Sequence, residues 1–440
     1  MAFILAVSGS AIGLGNIWKF PYITGQNGGG AFVIVYLCCV FLIGLPIMIS
    51  EILIGRRGRR NPVTTMGLLG EEEGGHKYWQ LVGVMGIFAG FIILSFYSVI
   101  AGWSLSYILR AASGAFTGGD ATQIGGVFTA ITGVWWRSAA WHTLFMLMTV
   151  LVVARGVQRG LEQAVRILMP ALFLLLIVLL GYSAVSGQFA AGFDYMFRAD
   201  FSALSGNSVL IALGHSFFTL SVGICAVMAY GAYLPQSTSI TGTASTVVIA
   251  DTVVSLVAGL VIFPIVFANG LAPDAGPGLI FRTLPLAFGN MPAGAFFGAL
   301  FFILLSFAAW TSAIGLIEPA VAWAVERRGL TRATAAAVIG LFVWAFGFAT
   351  VLSFNELAHV RFLRGTIFDN IDYLASNILL PLGGLLITIF AGWVICRNAS
   401  ADELDVGTGL LYRAWRFLTR YVAPVGVILI FLHAIGVFAP

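Results

Sequence analysis

Thr311 and Ser312 stand beside Ala308 and Gly315 at spacings of i, i+3, i+4 and i+7, so a helix places all four on one face. Two hydroxyls among small neighbours offer oxygen to a hard, weakly held cation. The plainer role is back-bonding to their own helix. Two other stretches gather similar groups. Ser8-Gly9-Ser10-Ala11-Ile12-Gly13-Leu14-Gly15-Asn16 sets three glycines among serines and an asparagine, and Gly214-His215-Ser216-Phe217-Phe218-Thr219-Leu220-Ser221-Val222-Gly223 does much the same. Both are poor helix material. Unwinding there frees carbonyls for a cation, and half-helix amino ends offer N–H groups to an anion. Close helix packing through small residues is the competing account, stronger for one such stretch than for a matching pair.

Other reactive groups are sparse. Glu51 ends an apolar run beside Gly55 and Arg56, where interfacial snorkelling accounts for it as well as a built role does. Glu318 precedes Pro319 inside another run, so pairing or a proton is expected, with proton coupling the sharper alternative. His76, His142, His359 and His433 lie near loops or helix ends and read as surface residues. No two histidines have ligand spacing, and Cys38, Cys39, Cys225 and Cys396 read as small packing residues, so no transition metal is expected. Gly28-Gly29-Gly30 lacks the Lys-Ser/Thr of a phosphate loop, which disfavours ATP-driven transport. No acid–base or nucleophile constellation points to an enzyme.

The elements that must position these groups are membrane helices. Of 440 residues, 60% are hydrophobic and 9% charged, with mean hydropathy +0.99 and net charge +4. Soluble domains carry roughly 25% charged residues, so a soluble enzyme, a nucleic-acid binder and a disordered chain are excluded. A span needs about 20 apolar residues. Eleven apolar segments run over about 2–25, 31–54, 79–110, 138–154, 164–186, 206–233, 243–268, 293–325, 334–354, 366–396 and 411–437. No positive region precedes the first, which reads as a membrane helix with a missing or very short cytoplasmic tail rather than a cleaved signal. The longest connections are 112–137, 187–205 and 270–291; Pro273, Pro277, Pro285 and Pro292 make the last an ordered, folded-back loop.

With the amino terminus inside, the cytoplasmic side receives Arg56, Arg57, Arg59, Arg60, Lys77, Arg155, Arg159, Arg166, Arg327, Arg328, Arg332, Arg397, Arg413, Arg416 and Arg420. The outside receives Arg110, Arg137, Arg198, Arg282, Arg361 and Arg364, and Lys19 stays within the first span. That asymmetry fits the positive-inside rule and leaves the carboxyl terminus outside. Interrupted helices five spans apart suggest two five-helix repeats of inverted topology around a midplane site. A single domain over 1–440 is expected, with repeats at about 2–186 and 206–396 and an extra helix at 411–437, and such a pair of breaks points to a transporter's site.

Ser10-Ala11-Ile12-Gly13-Leu14-Gly15-Asn16-Ile17-Trp18-Lys19-Phe20-Pro21 resembles the first-helix signature of the neurotransmitter:sodium symporters. Asn27-Gly28-Gly29-Gly30-Ala31-Phe32 resembles the segment after it, Phe217-Phe218-Thr219-Leu220-Ser221 the sixth-helix motif, and Thr311-Ser312 the eighth. The likeness runs in order from about residue 3 to 437. It implies an all-α, LeuT-type membrane protein with a 5+5 inverted repeat, helices 1 and 6 broken, of the bacterial amino-acid branch. It also implies sodium-driven uptake by alternating access in the inner or plasma membrane.

Carried over, sodium one would use Ala11, Asn16, Thr219, Asp251 and the substrate carboxylate; sodium two would use Gly9, Ile12, Ala308, Thr311 and Ser312. The substrate's polar groups would meet Ser10, Ala11, Gly13, Leu14, Gly15, Thr219 and Ser312, with the Tyr97 hydroxyl. Its side chain would meet Ile93, Ile100, Phe218, Ser221, Ile224 and Leu316. Gly13 stands where the family's amine transporters have an aspartate, which favours an amino acid, and the apolar lining favours a hydrophobic or neutral one. Tyr97 and Phe218 would close over it; Lys19 and Asp372 would pair further out; Glu326 and Tyr233 match inner-gate positions.

Chloride-requiring members bind chloride with residues matching Tyr36, Thr219 and Ser255 here, while His215 replaces a glutamine and Asp251 an asparagine. A fixed carboxylate at Asp251 would repel chloride and supply its charge, so chloride independence is expected. Two sodium ions and a small neutral substrate are thus the implied partners, with no nucleic acid. A passive channel or a ligand sensor on the same helices is the alternative.

Overall fold

The computed structural model describes residues 2–272, 278–434 and 437. Among these the chain is all-helical, with two isolated bridges and no strand. Eight helices are long and apolar enough to cross a membrane, or nine with the bent pair Phe3–Ala11 and Gly15–Gln26 taken as one. Helical segments over 206–231 and 410–434 bring the series to eleven, following the eleven apolar stretches of the sequence.

Proline writes a local signature into these helices. Widened π turns at Gly15–Lys19, Val40–Gly44, Leu279–Thr283, Leu374–Leu379 and Leu418–Val422 each end two residues before a proline: Pro21, Pro46, Pro285, Pro381 and Pro424. Proline has no N–H, and its ring collides with the carbonyl four residues earlier. Widening that turn relieves the collision without ending the helix.

The third span (Lys77–Ala112) and the eighth (Gly294–Arg328) are the most deeply buried and pack on each other. The fourth (Trp135–Ala154), fifth (Gly160–Ser186) and ninth (Arg332–Ser353) are the least buried. The first span leans on the eighth, the seventh (Ile240–Ala268) and the fifth. Its amino-terminal half therefore sits inside a ring of helices, where irregular backbone is shielded from lipid.

The connections are not plain loops. They contain Ala121–Thr132, Phe189–Phe197 and Leu279–Gly289; Pro273 and Pro277 lie outside the described residues. Gly28-Gly29-Gly30 is a packing turn. Gly29 takes φ +58°, a Cβ on Gly30 would strike the Phe197 carbonyl, and the Gly30 N–H donates to the Arg198 carbonyl at 3.0 Å. His142 is not a surface residue. It is fully buried between the fourth and ninth spans, with Nε2 3.1 Å from the Trp344 carbonyl oxygen.

Candidate functional site

Two helix breaks form the centre of the site. In the first, the halves meet at a bend of 48°. The Gly13 N–H donates to Asn16 Oδ1 at 2.8 Å, and the Leu14 N–H donates to Tyr97 Oη at 3.1 Å. Side chains thus replace the lost ladder bonds. A Cβ on Gly13 would lie 2.5 Å from Ser312 Oγ and 2.7 Å from Tyr97 Oη, so only glycine fits.

The second break uses left-handed backbone at Ser221 (φ 52°), Gly223 (φ 89°) and Cys225 (φ 60°). Glu51 holds it open. Its Oε1 accepts the Gly223 N–H at 2.6 Å and its Oε2 accepts the Met228 N–H at 3.2 Å. Interfacial snorkelling is therefore the wrong account of Glu51, which is fully buried. Gly55, one turn further on, abuts the Met228 carbonyl so tightly that a Cβ would collide. An acid and a glycine at i and i+4 in an apolar span was the available sign that the backbone of another element comes this close.

Two oxygen clusters flank the breaks. In the first, Asn16 Nδ2 donates to Asp251 Oδ1 at 2.7 Å, to Thr219 Oγ1 at 2.9 Å and to Ser255 Oγ at 2.9 Å. Thr219 Oγ1 donates to Asp251 Oδ2 at 3.0 Å. Asp251 has no exposed surface and no cationic side chain within 4 Å among the described residues. In the second cluster Ser312 Oγ donates to the carbonyls of Ile12 at 3.1 Å and Gly9 at 3.3 Å, while Thr311 Oγ1 donates to the Ala308 carbonyl at 3.1 Å. Back-bonding to the parent helix thus describes Thr311. It fails for Ser312, which reaches the carbonyls of the first break.

Between the clusters lies a cavity of about 20 Å³, room for one water. Ala11, Gly13, Leu14, Gly15, Ile93, Tyr97, Phe218, Thr219, Ser221, Ile224, Ser312 and Leu316 line it, all of them anticipated. Leu380 also lines it and was missed; its carbonyl packs against Gly223, a contact between spans ten and six that no local spacing encodes. Two expected residues lie elsewhere. Ser10 turns its hydroxyl toward Gly315 and gives its carbonyl to Ser221 Oγ at 3.0 Å; Ile100 faces a second cavity of about 220 Å³. Tyr97, Phe218, Leu14 and Gly15 border both spaces, so the two aromatic rings form the partition.

The model of the sodium:neurotransmitter symporter family matches residues 1–124 and 127–440. The chain belongs to that family. It is 38% identical over 442 residues to an uncharacterized sodium-dependent transporter of Bacillus subtilis, YhdH, covering 100% of this chain and 97% of the relative. A sodium-dependent transporter of Methanocaldococcus jannaschii is 31% identical over 446 residues, with 97% and 87% covered. The crystal structure of MhsT in complex with L-phenylalanine superposes with TM-score 0.91 at 41% identity, covering 98% of each chain. The protein is a multi-pass membrane transporter of the LeuT-type fold, not an enzyme.

The residues expected as gates depart from expectation in part. Lys19 and Asp372 border the second cavity, but no ion pair joins them. The Lys19 ammonium lies over the Phe218 ring at 4.9 Å, and Asp372 accepts from Ser376 Oγ at 3.0 Å. A lysine has no guanidinium fork to hold a carboxylate in place, and an aromatic face competes for it. On the opposite side, Glu326 accepts the Asn61 N–H at 3.0 Å and Asn61 Nδ2 at 2.7 Å. Tyr233 lies beside a different pair, Glu318 with Arg332. Glu318 is fully buried and paired with Arg332, the pairing expected of an acid inside an apolar run.

Tyr36 lies beside Thr219, Thr252 and Ser255, so the set expected at the chloride position is assembled around Asp251. His215 joins it only through its ring, tilted against Tyr36 at 5.7 Å and stacked on Phe20 at 5.8 Å. Its nitrogens make no hydrogen bond among the described residues.

Proposed function

We propose that this chain takes up a hydrophobic or neutral amino acid with two sodium ions, by alternating access, without chloride. The observation that carries the reading is Asp251: a buried carboxylate that accepts from Asn16 and Thr219, with Ser255 on the same Asn16 amide and no cationic side chain within 4 Å among the described residues. A buried charge needs a partner, and this oxygen-rich cluster suits a small hard cation. Asn16 offers its amide nitrogen to the carboxylate. Rotation of that amide would give up the bond from the Gly13 N–H and turn Oδ1 inward, so that Asn16, Thr219, Asp251 and the Ala11 carbonyl face one sodium. A second sodium would replace the Ser312 hydrogen bonds to Gly9 and Ile12, with Thr311 and the Ala308 carbonyl completing the set.

The cavity of about 20 Å³ must widen to admit a substrate, and Gly13 brings no side chain that would compete with its carboxylate. The remaining lining, Ile93, Ile224, Leu316 and Leu380, offers a charged side chain no counter-ion, at a cost of several kcal/mol. MhsT was crystallised with L-phenylalanine, and its 41% identity supports the same substrate class here. Phe218 and Tyr97 serve as the outer lid, while Glu326 and Tyr233 hold the inner side, taken as cytoplasmic with the amino terminus. A channel built on these helices would carry substrate only downhill, and a sensor would bind it without flux.

One experiment tests the reading. Uptake of labelled phenylalanine is compared in sodium chloride and sodium gluconate, for wild type and Asp251→Asn, with leucine, lysine and glutamate as competitors. Wild-type uptake is expected to be equal in both salts, and only leucine should compete. Asp251→Asn should lose uptake in gluconate. Chloride-stimulated wild-type uptake, or competition by lysine or glutamate equal to leucine's, contradicts the proposal.

A further inference from the structure

Four arginines meet at one groove on the protein, away from the transport site. Arg397 begins the short helix Arg397–Leu404; Arg413, Arg416 and Arg420 follow at i, i+3 and i+7 along the start of the eleventh span. With Tyr412, Phe417 and Tyr421 they line a space of about 530 Å³. None of the four lies within 4 Å of a carboxylate among the described residues. The nearby acids are otherwise disposed: Glu403 is bound to Arg56 at 2.5 Å, and Asp402 and Asp405 are exposed with no ion pair among the described residues.

The groove is preorganised. Arg416 donates to Tyr412 Oη at 2.9 Å and to Ser400 Oγ at 3.0 Å, and Tyr412 Oη in turn donates to the Arg397 carbonyl at 3.0 Å. Arg420 lies over the Trp393 ring at 4.4 Å, and its buried Nε has no hydrogen-bond partner among the described residues. Fixed guanidinium groups lose little freedom on binding an anion, and their forks match phosphate oxygens.

The surroundings identify the anion's carrier. Trp393, Phe417 and Tyr421 are about half exposed around the groove, the aromatic pattern of a membrane–water interface. Beyond them the span continues as an apolar helix with Val425, Ile428 and Leu429 exposed, a surface for acyl chains. Arg56, on the second span, is tied through Glu403 to the helix that Arg397 begins. The groove therefore lies on the same arginine-rich face as Arg56–Arg60, where anionic lipid attracts basic groups. A free phosphate would use the arginines and leave the aromatic rim without a role.

We propose that Arg397, Arg413, Arg416 and Arg420 form a binding site for the headgroup of an anionic phospholipid.

The test is native mass spectrometry of the full chain in mild detergent, titrated with diphosphatidylglycerol or phosphatidylcholine, with and without millimolar inorganic phosphate. Wild type is expected to retain diphosphatidylglycerol over phosphatidylcholine by about tenfold, unaffected by phosphate. Arg413→Gln with Arg420→Gln should remove the preference. Arg413→Lys with Arg420→Lys keeps the charge and should retain most of it, which separates charge loss from misfolding; circular dichroism checks the helix content of both. Equal retention of the two lipids by wild type, an undiminished preference in the glutamine variant, or displacement of the lipid by inorganic phosphate would each overturn the proposal.

Discussion

Thr311→Val combined with Ser312→Ala should reduce sodium-driven uptake at least about a hundredfold while the protein stays folded. The two side chains supply two of the five oxygens gathered at the second proposed sodium site, and the remaining three are carbonyls. Ser312 also bridges the eighth span to the first break through Gly9 and Ile12. Losing those neutral hydrogen bonds costs roughly 1 kcal/mol each in stability, too little to unfold the chain. Transport should therefore fall far more than thermal stability does. Proteoliposome uptake and a melting curve on the same preparation check both halves. Unaltered sodium dependence in the double variant would return these hydroxyls to helix packing.

Gly13→Ala is expected to have a comparable effect through space alone. The added methyl would meet Ser312 Oγ at 2.5 Å and Tyr97 Oη at 2.7 Å, both on buried side chains. Overpacking a tight site costs about 1–3 kcal/mol, or roughly a tenfold to hundredfold loss of substrate affinity. The shift of Ser312 should also weaken sodium binding, since the same hydroxyl contacts the carbonyls of Gly9 and Ile12. A binding isotherm for phenylalanine at saturating and at low sodium measures both. Affinity within twofold of wild type would show that the methyl is accommodated and that Gly13 does not reserve the carboxylate's place.

Local composition made much of this legible. Glycines and hydroxyls at mid-membrane depth marked both breaks, and the i, i+3, i+4, i+7 face marked Thr311 and Ser312. What spacing could not give was the far partner of each polar group. Glu51 accepts from N–H groups about 170 positions along the chain, and Leu380 enters the cavity from the tenth span. Glu318 is neutralised by Arg332 of the next helix, and Glu326 is taken by Asn61. The Lys19–Asp372 expectation failed for the converse reason. Two opposite charges at matching positions do not fix a pair when an aromatic face is also within reach of the cation.

The central claim is that sodium and a hydrophobic amino acid occupy one coupled site. With the substrate carboxylate about 4 Å from the first sodium, and an effective dielectric of about 20, the attraction is roughly 4 kcal/mol before desolvation. By linkage each ligand must then tighten the other. The most direct measurement is phenylalanine binding to the purified protein across a sodium titration, at constant ionic strength set with potassium. Affinity should rise steeply with sodium, with sodium affinity rising reciprocally as phenylalanine is added; equal phenylalanine affinity in sodium and in potassium would contradict the account.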